Sequence, residues 1–440
     1  MPNENQISNI DFSKPVLLYG AGIEAQSTRK FLQQNYPNTK IYVTADSGAI
    51  KVENSEIIKP SDLTSAIENK KFAAIIKSPG VSRYRPIFLM AREAGIIVTS
   101  NLNLWAHHYR EKSKVIAITG TKGKSTTATL LYLMLKAAKK DVGLAGNIGV
   151  APIDVANKNE IIIFELSSYQ TADIAFEPDF AAITNLSPEH TDWHRDLTHY
   201  YADKLNLIER DSAFPVALGV GAIDNELALK ALGDRSRLLP PLNDDLSDKI
   251  NEAAQNSSLK GDHNIDNAKL AAQLALAVGA NDTNILAAIK DFTPLAHRLE
   301  EHKIGNMLFV DDSISTTPEA TLAAINAYKN MPIALIAGGH ERQQNYTQLA
   351  KELAQSSVEI LICLPVTGDR LASSTYANAP RIEVLEAENL EIAMNALASR
   401  RSRFDVIILS PGAPSYNQFR NFEERGDKFI ALAHELFEGK

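Results

Sequence analysis

The sequence predicts an α/β protein with parallel sheets, divided into three domains. Short runs rich in β-branched residues alternate with longer amphipathic segments, which is the pattern of parallel strands joined by helical crossovers. A chain of 440 residues is about three times the usual domain length, so several hydrophobic cores are expected. The strand candidates form three groups: PVLLYG, KIYVTA and AAIIKS; KVIAIT, EIIIFEL and FAAITNL; and MLFVDD, IALIAGG, EILICL and DVIILSP.

Composition narrows the class of protein. A net charge of -8 and a pI near 5.8 argue against nucleic acid or an anionic membrane surface as the main partner, because either would favour a basic face. The first residues, MPNENQISNIDFSKP, lack a basic and then apolar signal, and no apolar stretch approaches the roughly 18 residues that span a bilayer. The single cysteine, Cys363, lies in the apolar run VEILICLPV and is interpreted as an inert core thiol. We therefore expect a soluble, cytoplasmic protein.

The first group of strands ends in turns that could hold a nucleotide sugar. VLLYGAGIEA places Gly20 and Gly22 between a strand and a helix, where backbone amides can approach a phosphate. Asp46 follows the second strand and could accept hydrogen bonds from sugar hydroxyls, and Ser78 follows the third strand in KSPGVS. Ala25 stands where the dinucleotide fingerprint has its third glycine. A nucleotide-sugar pocket and a set of ordinary strand-to-helix turns both fit these residues.

The second group opens with a phosphate-binding loop, ITGTKGKSTTATLL. Gly120 and Gly123 lie where backbone amides can point inward, and the Lys124 ammonium can reach the outer phosphates of a nucleotide. The hydroxyl of Ser125 or Thr126 can ligate magnesium. The motif lies between a predicted strand and a predicted helix, so it predicts nucleotide binding. It does not distinguish hydrolysis from the activation of a substrate.

Three residues downstream could complete a metal site. Glu165 ends a strand in FELSSYQ, where a buried carboxylate is costly without a partner and natural beside magnesium. His190 lies in NLSPEHTDWH after the next strand, and Lys204 follows on a predicted helix. Taken singly, His190 fits a core or capping histidine and Lys204 a solvated helical lysine. Together, at neighbouring strand ends that face a phosphate loop, they favour a metal-dependent reaction.

Eight motifs occur in the order seen in the Mur ligases, and on them the chain resembles that family. They are GTKGKST, FELSSYQ, NLSPEHTD, DKLNL, GDHNIDNA, HRLE, DDSISTT and LSPGAPSYNQFRNFEERG. The resemblance implies a Rossmann-like N-terminal domain for the UDP-sugar, a P-loop ATPase-like central domain for ATP and a Rossmann-like C-terminal domain for the amino acid. We place these at residues 1–110, 111–298 and 299–440. Within the central domain, the irregular and polar residues Phe214 to Lys260 predict a surface excursion.

The last motif resembles the branch that adds glutamate to UDP-N-acetylmuramoyl-L-alanine (UDP-MurNAc-L-Ala) in the synthesis of peptidoglycan precursors. That resemblance implies that ATP phosphorylates the substrate carboxylate, the incoming amine attacks the acyl phosphate, and a tetrahedral intermediate expels phosphate. A free carboxylate is a poor acyl donor, so positioning and charge neutralisation supply most of the catalysis. The resemblance also implies two magnesium sites, a carbamylated lysine, small-molecule substrates and a monomer without nucleic-acid or membrane partners.

The family's functional residues map onto the motifs of this chain. Lys124 would hold the β- and γ-phosphates, Ser125 and Glu165 would ligate magnesium, His190 would lie near the second metal and the acyl phosphate, and Lys204 would be the carbamylated lysine. The remaining ATP contacts would be Gly120, Thr121, Lys122, Gly123 and Thr126 in the loop, Asn264 and Asn267 beside adenine, and Arg298 and Asp312 from across the domain gap. The UDP-sugar contacts would be Gly22, Ile23, Glu24, Asp46, Ser78 and Asn147.

The C-terminal domain would bind glutamate. Ser415 and the Phe422 amide would hold one carboxylate, and Thr316 and Arg342 the other. Ile314 and Arg342 stand where the family usually has lysines, and an arginine binds a carboxylate in a planar, two-pronged fashion. We favour D-glutamate as the substrate and keep L-glutamate open.

Two further alternatives differ in class. Another ligase of the superfamily, such as a folylpolyglutamate synthase, would share the ATP domain but would not be expected to end in SPGAPSYNQFRNFEERG. A binding or regulatory protein would hold a nucleotide without forming an amide, and it would not need a complete set of metal-site groups.

Overall fold

The structure is a computed structural model, and it folds into two compact units. It describes residues 4–45, 52, 54–148, 150–155, 158–188, 191–210, 213–259, 261–293, 296–341 and 345–438. The first unit comprises residues 1–257 and 263–292, and the second comprises residues 258–262 and 293–440.

The first unit contains two five-stranded sheets in which every pair of neighbouring strands is parallel. The first sheet has the order β3-β2-β1-β4-β5, with β1 (Val16–Tyr19), β2 (Ile41–Thr44), β3 (Glu56–Ile57), β4 (Ala74–Lys77) and β5 (Ile97–Thr99). The second has the order β10-β9-β6-β8-β7, with β6 (Lys114–Thr119), β7 (Val142–Gly146), β8 (Ile161–Glu165), β9 (Phe180–Asn185) and β10 (Val216–Gly221). The strand order reverses beside β1 and at β6, and open α/β sheets bind ligands at the carboxyl edge of such points.

Most α-helices of this unit connect successive strands along the chain, and the last four follow β10. The helices are α1 (Ile23–Asn35), α2 (Leu63–Glu68), α3 (Pro86–Glu93), α4 (Asn101–Tyr109), α5 (Lys124–Ala137), α6 (Ser168–Asp173), α7 (Thr191–His194), α8 (Leu197–Leu205), α9 (Glu226–Leu232), α10 (Asp244–Gln255), α11 (Asp262–Ala277) and α12 (Asp282–Lys290). Local caps fix several helix starts. Ser167 and Gln170 form a capping box at α6, and the Asp196 side chain accepts from the His199 amide at α8.

One apolar core joins the two sheets of the first unit. The runs VIAI of β6 and IIIF of β8 are buried, as parallel strands covered on both faces should be. Trp105 of α4 packs edge-on against Phe164 of β8, with ring centroids 4.7 Å apart. Val16 of β1 belongs to the same buried cluster as Ile162 of β8. This shared core explains why residues of both sheets form a single compact unit.

The second unit is built on a six-stranded sheet with the order β11-β12-β16-β13-β14-β15. Its strands are β11 (Glu300–Ile304), β12 (Met307–Asp311), β13 (Ile333–Gly338), β14 (Val358–Leu364), β15 (Glu383–Glu386) and β16 (Val406–Leu409), and only β11 pairs antiparallel among the described strands. Its helices are α13 (Pro318–Ala327), α14 (Thr347–Leu353), α15 (Gly368–Asn378), α16 (Leu390–Ala398) and α17 (Phe422–Phe437). Cys363 is a free, buried thiol of β14, and burial raises its pKa.

The α/β fold with parallel sheets is confirmed, and all ten predicted strands are present. The surface excursion is wrong, because residues Phe214 to Lys260 include β10, α9 and α10. The strand β10 was missed because its sequence, VALGVG, contains two glycines and it is an edge strand whose last two residues are exposed. The helix α10 is capped by Asn243 and buries Leu246 and Ile250, a pattern hidden by its many acidic residues. The domain boundaries at 110/111 and 298/299 remain predictions.

Candidate active site

The phosphate-binding loop connects β6 to α5 and needs glycine at two positions. Gly120 has φ 151° and Gly123 has φ 82°, which are backbone conformations that favour glycine. A Cβ atom at Gly120 would overlap the Thr184 hydroxyl, and one at Gly123 would overlap the Asn267 amide. The close approach of Asn267 places the start of α11 beside this loop.

Asn185, at the end of β9, sets the shape of the loop. Its side-chain oxygen accepts from the Thr121 amide at 3.1 Å and from the Lys122 amide at 2.8 Å. The hydroxyls of Thr121 and Tyr200 are 2.8 Å apart, and the Lys124 ammonium donates to the Thr121 carbonyl at 3.0 Å. The protein itself therefore holds the loop in shape, and the amides of Thr121 and Lys122 are engaged within the protein.

The start of α5 presents the expected groups at a positive helix end. This helix begins at Lys124, and the side chains of Ser125 and Thr126 follow in its first turn as buried residues. The N-terminus of a helix favours anions, because its first amides point outward along the helix dipole. Lys124, Ser125 and Thr126 therefore lie at a helix end that favours an anion, and their contacts with ATP and magnesium stay a prediction.

Glu165 ends β8, the strand next to β6, and has a carboxylate oxygen without a protein partner. The side chain is buried, and its Oε1 accepts from the Asn147 amide at 3.0 Å. Its Oε2 is also buried and makes no hydrogen bond within the described part of the chain. An unpaired buried carboxylate is costly, and magnesium prefers oxygen ligands, so this residue fits a cation site. The side chain of Asn147 thus orients Glu165, and the contact of Asn147 with the UDP-sugar stays a prediction.

Lys204 lies inside the protein, on α8, beside the phosphate-binding loop. Its ammonium donates to the Gly120 carbonyl at 2.8 Å, and the side chain is buried. The interpretation of Lys204 as a solvated helical lysine is therefore wrong. His190, the other residue expected near the metal, lies outside the described residues.

The structure brings together two of the turns predicted to hold the nucleotide sugar. The Ser78 amide donates to the Tyr19 carbonyl at 2.8 Å, and a Cβ atom at Gly20 would overlap the Ser78 hydroxyl. Gly22 and Ile23 are exposed at the start of α1. The adjacent ends of β1 and β4 thus form one edge, with Ser78 beside the glycine turn. Asp46 lies outside the described residues.

Glu24 points from the first turn of α1 towards α6. Its Oε1 accepts from the Gln170 side chain at 2.8 Å, and its Oε2 is buried with no hydrogen bond among the described residues. Burial raises the pKa of Glu24 to about 7, and the hydrogen bond from Gln170 and the charge of Lys77 offset this only in part. The Glu24 carboxyl group therefore titrates near neutral pH.

In the second unit, three loops at the carboxyl edge of the sheet contact one another. The His340 amide donates to the Pro414 carbonyl at 2.7 Å, and the Gly412 amide donates to the Ser315 carbonyl at 3.0 Å. These bonds link the loops after β13, β16 and β12, which are neighbours in the sheet. The predicted glutamate contacts Thr316 and Ser415 lie on two of these loops, and Phe422 is the first residue of α17. Arg342, which follows β13 in the sequence, lies outside the described residues.

Asp312, predicted to contact ATP, is fully engaged within the second unit. Its carboxylate accepts from the hydroxyls of Ser315 at 2.5 Å and Ser410 at 2.7 Å and from the Leu299 amide at 3.3 Å. Burial raises the pKa of Asp312 to about 6, although these hydrogen bonds and the nearby charge of Arg298 lower it. Asp312 thus ties the loop after β12 to the end of β16.

Sequence reasoning missed two buried cations that hold loops in place. The Lys77 ammonium, at the end of β4, lies 2.5 Å from the Asp173 carboxylate of α6. In the second unit, the Arg425 guanidinium donates to the Ser313 hydroxyl and carbonyl at 3.0 and 2.7 Å and to the Ala413 carbonyl at 3.1 Å. Arg425 was visible in the motif NFEERG, but only the structure shows that it is buried. No spacing signal joins Lys77 to Asp173, because they are distant in the chain.

Comparison with known proteins bears on the whole chain. A family model for the Mur ligase middle domain matches residues 118–289. The UDP-N-acetylmuramoyl-L-alanine--L-glutamate ligase of Xanthomonas euvesicatoria pv. vesicatoria (strain 85-10) is 31% identical over 458 residues, which cover 97% of this chain and 96% of that protein. The chain belongs to the Mur ligase family. It is therefore an ATP-dependent ligase.

Other members of the family resemble this Mur ligase over most of its length. The UDP-N-acetylmuramoylalanine--D-glutamate ligase of Geobacillus kaustophilus (strain HTA426) is 33% identical over 391 residues, 84% of each protein. The crystal structure of the UDP-N-acetylmuramate-alanine ligase MurC from Thermotoga maritima has a TM-score of 0.60 and 18% identity, and covers 96% of this chain and 99% of that one. At that identity, the structural likeness supports the fold alone. None of the described helices of this Mur ligase is both long and apolar enough to traverse a bilayer.

Proposed function

We propose that this Mur ligase joins L-glutamate to UDP-MurNAc-L-Ala, using ATP and forming ADP and phosphate through an acyl phosphate. The observation that carries the proposal is the convergence of three groups at the carboxyl edge of β6 and β8. These are the glycine loop that ends in Lys124, the Glu165 carboxylate with its unpaired oxygen, and the buried Lys204. The set suits the transfer of a phosphoryl group to a carboxylate, in which positioning and charge neutralisation dominate.

Each of these groups has one task in the proposed reaction. Lys124 neutralises the negative charge that develops on the outer phosphates, and the first turn of α5 orients them. Glu165 and Ser125 supply oxygen ligands for magnesium, which when bound neutralises phosphate charge. The glycine loop is already held in shape by Asn185, so little reorganisation is needed during the reaction.

The proposal includes a carbamate on Lys204. An ammonium next to a cation site would oppose metal binding, whereas a carbamate is an anion with two oxygen ligands. The bond from Lys204 to the Gly120 carbonyl is compatible with either form, because a carbamate retains one N–H donor. His190 is proposed as the second group near the acyl phosphate, and two magnesium sites are part of the proposal.

The choice of L-glutamate departs from the D-glutamate that the sequence favoured. Two relatives named for L-glutamate align with 97% and 81% of this chain, and the relative named for D-glutamate aligns with 84%. Ile314 and Arg342 also depart from the usual family pattern near the predicted amino-acid site. D-glutamate is kept as the second candidate because the relative named for it is 33% identical, against 31% for the Xanthomonas relative named for L-glutamate.

The test is a direct assay with both enantiomers. The purified protein is incubated with ATP, magnesium, UDP-MurNAc-L-Ala and either L- or D-glutamate, and phosphate release and product mass are measured. We expect at least a tenfold preference for L-glutamate, since losing one charged hydrogen bond costs about 1.5 to 3 kcal/mol. Phosphate release that requires no glutamate, or equal rates with both enantiomers, would contradict the proposal. A preference for D-glutamate would establish the second candidate instead.

A further inference from the structure

A polar network, half-buried at the loop and buried at its centre, links residues 78–84 to two of the proposed metal-site residues. The 78–84 loop follows β4 and contains Ser78, a predicted contact of the nucleotide sugar. The Trp193 indole, on α7, donates to the Pro79 carbonyl at 3.1 Å, and the Ser82 hydroxyl donates to the Trp193 carbonyl at 2.7 Å. The loop is therefore fastened to the segment that leads into α8.

Asp203, on α8, is the centre of this network. Its Oδ2 accepts from the Tyr84 hydroxyl at 2.8 Å and lies 2.7 Å from His194 Nδ1. Its Oδ1 is 4.0 Å from the Arg83 guanidinium. Burial raises the pKa of Tyr84, and the Asp203 carboxylate raises it further, so Tyr84 remains a hydrogen-bond donor. Tyr84 thus connects the 78–84 loop directly to the residue that precedes Lys204.

His194 extends the network to α6, next to Glu165. Its ring has no exposed surface, and its Nε2 lies 2.9 Å from the Ser168 hydroxyl. Because a carboxylate only accepts, Nδ1 donates to Asp203, and Nε2 pairs with the Ser168 hydroxyl. Ser168 is three residues after Glu165, and Asp203 is one residue before Lys204. One imidazole therefore fixes the distance between the two segments that carry the proposed metal-site residues.

The face of α8 that carries these residues also supports the phosphate-binding loop. Tyr200, Asp203 and Lys204 are spaced i, i+3 and i+4, which places them on one side of the helix. Tyr200 and Lys204 contact Thr121 and Gly120 of the phosphate-binding loop, and Asp203 contacts Tyr84. A small movement of the 78–84 loop therefore reaches α8 through the Tyr84 hydrogen bond and the longer Arg83 ion pair, of which the hydrogen bond is the closer contact.

We propose that Asp203 and His194 are positioning residues that fix the relative position of Lys204 and Glu165. Through Tyr84, this position depends on whether a nucleotide sugar is bound at the 78–84 loop. The proposal rests on the proposed function for the identity of that sugar. Binding of the sugar at Ser78 orders the loop, the loop fixes Asp203 through Tyr84, and the metal site becomes better organised for nucleotide. Linkage then requires the nucleotide to tighten binding of the sugar by the same factor.

The test measures this coupling by calorimetry. The dissociation constant of a non-hydrolysable ATP analogue with magnesium is measured with and without UDP-MurNAc-L-Ala, in wild type, Tyr84→Phe and Tyr201→Phe. In wild type we expect the sugar to tighten nucleotide binding by about fivefold or more. Tyr84→Phe should bring this factor close to one, while each ligand alone binds within about twofold of wild type. Tyr201→Phe is the matched control, because its hydroxyl, also on α8, has no hydrogen-bond partner within the described residues.

Three results would overturn the proposal. The first is a wild type that binds both ligands without coupling. The second is a folded Tyr84→Phe variant with full coupling. The third is a Tyr84→Phe variant in which the affinity for the sugar alone falls by the same factor as the coupling. The last result would mean that Tyr84 contacts the sugar directly.

A second experiment tests the positioning role of Asp203 without the nucleotide sugar. Asp203→Asn should raise the magnesium concentration for half-maximal binding of the analogue by about tenfold, or 1.4 kcal/mol, without weakening binding in the absence of magnesium. An unchanged magnesium requirement would refute the positioning role. If wild type binds nucleotide but not UDP-MurNAc-L-Ala, the proposed function fails, and this experiment still decides the role of Asp203.

Discussion

Two neighbouring regions of the first unit differ in whether their polar side chains have hydrogen-bond partners within the protein. Around the 78–84 loop, Tyr84, His194, Ser168 and Asp203 satisfy one another at 2.7 to 2.9 Å. At the edge of β8, Glu165 keeps one buried oxygen without any hydrogen bond among the described residues. A polar group that is satisfied by the protein serves to fix the structure, whereas an unsatisfied one is costly unless a ligand completes it. The difference separates positioning residues from ligand-binding residues, and it can be tested by substitution.

The largest effect on stability is expected at the ion pair of Lys77, the residue that precedes the 78–84 loop. Lys77→Met leaves the Asp173 carboxylate without its closest cation, at a site where the Lys77 side chain is 1% exposed and that of Asp173 11%. Breaking such a pair should lower the free energy of unfolding by about 3 to 5 kcal/mol. Urea unfolding measures this loss. The double variant Lys77→Met/Asp173→Leu should recover much of the lost stability; if it is as unstable as the single variant, the ion pair is not the cause.

The largest effect on turnover is expected at the phosphate-binding loop. Lys124→Ala removes the ammonium proposed to neutralise the outer phosphates, so turnover should fall by about 100- to 1,000-fold, equivalent to about 2.7 to 4 kcal/mol. Because the Lys124 side chain makes its hydrogen bond to a nearby carbonyl, the fold should persist. Steady-state kinetics with unfolding curves checks both statements. Near-normal turnover in a folded variant would remove Lys124 from the mechanism.

The substitution Glu165→Gln tests the region with the unpaired carboxylate, because it should lower turnover without lowering stability. The change removes a buried negative charge that lacks a complete set of partners, so stability in the absence of magnesium should be equal to or greater than that of wild type. Turnover should fall by about 100-fold, since an amide is a poorer magnesium ligand than a carboxylate. Unfolding with and without magnesium, together with the rate, measures these effects. A marked loss of stability without magnesium would show that Glu165 is structural.

The smallest effect is a pH dependence expected at Glu24. The folded protein keeps this carboxyl group protonated up to about pH 7, whereas the unfolded chain does so only up to the ordinary glutamate pKa of 4.5. The free energy of unfolding should therefore fall as pH rises between these values, and above about pH 7 this group should cause no further change with pH. Glu24→Gln removes the titration, so its stability relative to wild type should be greater at pH 8 than at pH 5 by about 1 to 3 kcal/mol. Urea unfolding at the two pH values provides the measurement, and an equal difference at both would refute the shift.

Much of the architecture could be predicted because it is encoded locally. The runs KVIAIT and EIIIFEL predict buried parallel strands, and the loop that begins at Gly120 predicts the start of α5, since glycine conformation and helix capping depend on adjacent residues. The strand β10 and the helix α10 escaped prediction because an exposed edge strand and an acidic helix lack a strong periodic signal.

The sequence by itself selected the residues proposed for the site, and the tertiary structure decided which of them are buried and what they contact. Lys124, Glu165 and Lys204 could be selected because their residue types and motifs restrict what they can do. Only the fold shows that Lys204 is buried against Gly120 and that Tyr84 reaches Asp203 across 119 positions of sequence. Hydrogen bonds between distant segments leave no periodic trace in a single chain. Their partners are chosen by the packing of strands and helices, and that packing is a property of the whole fold.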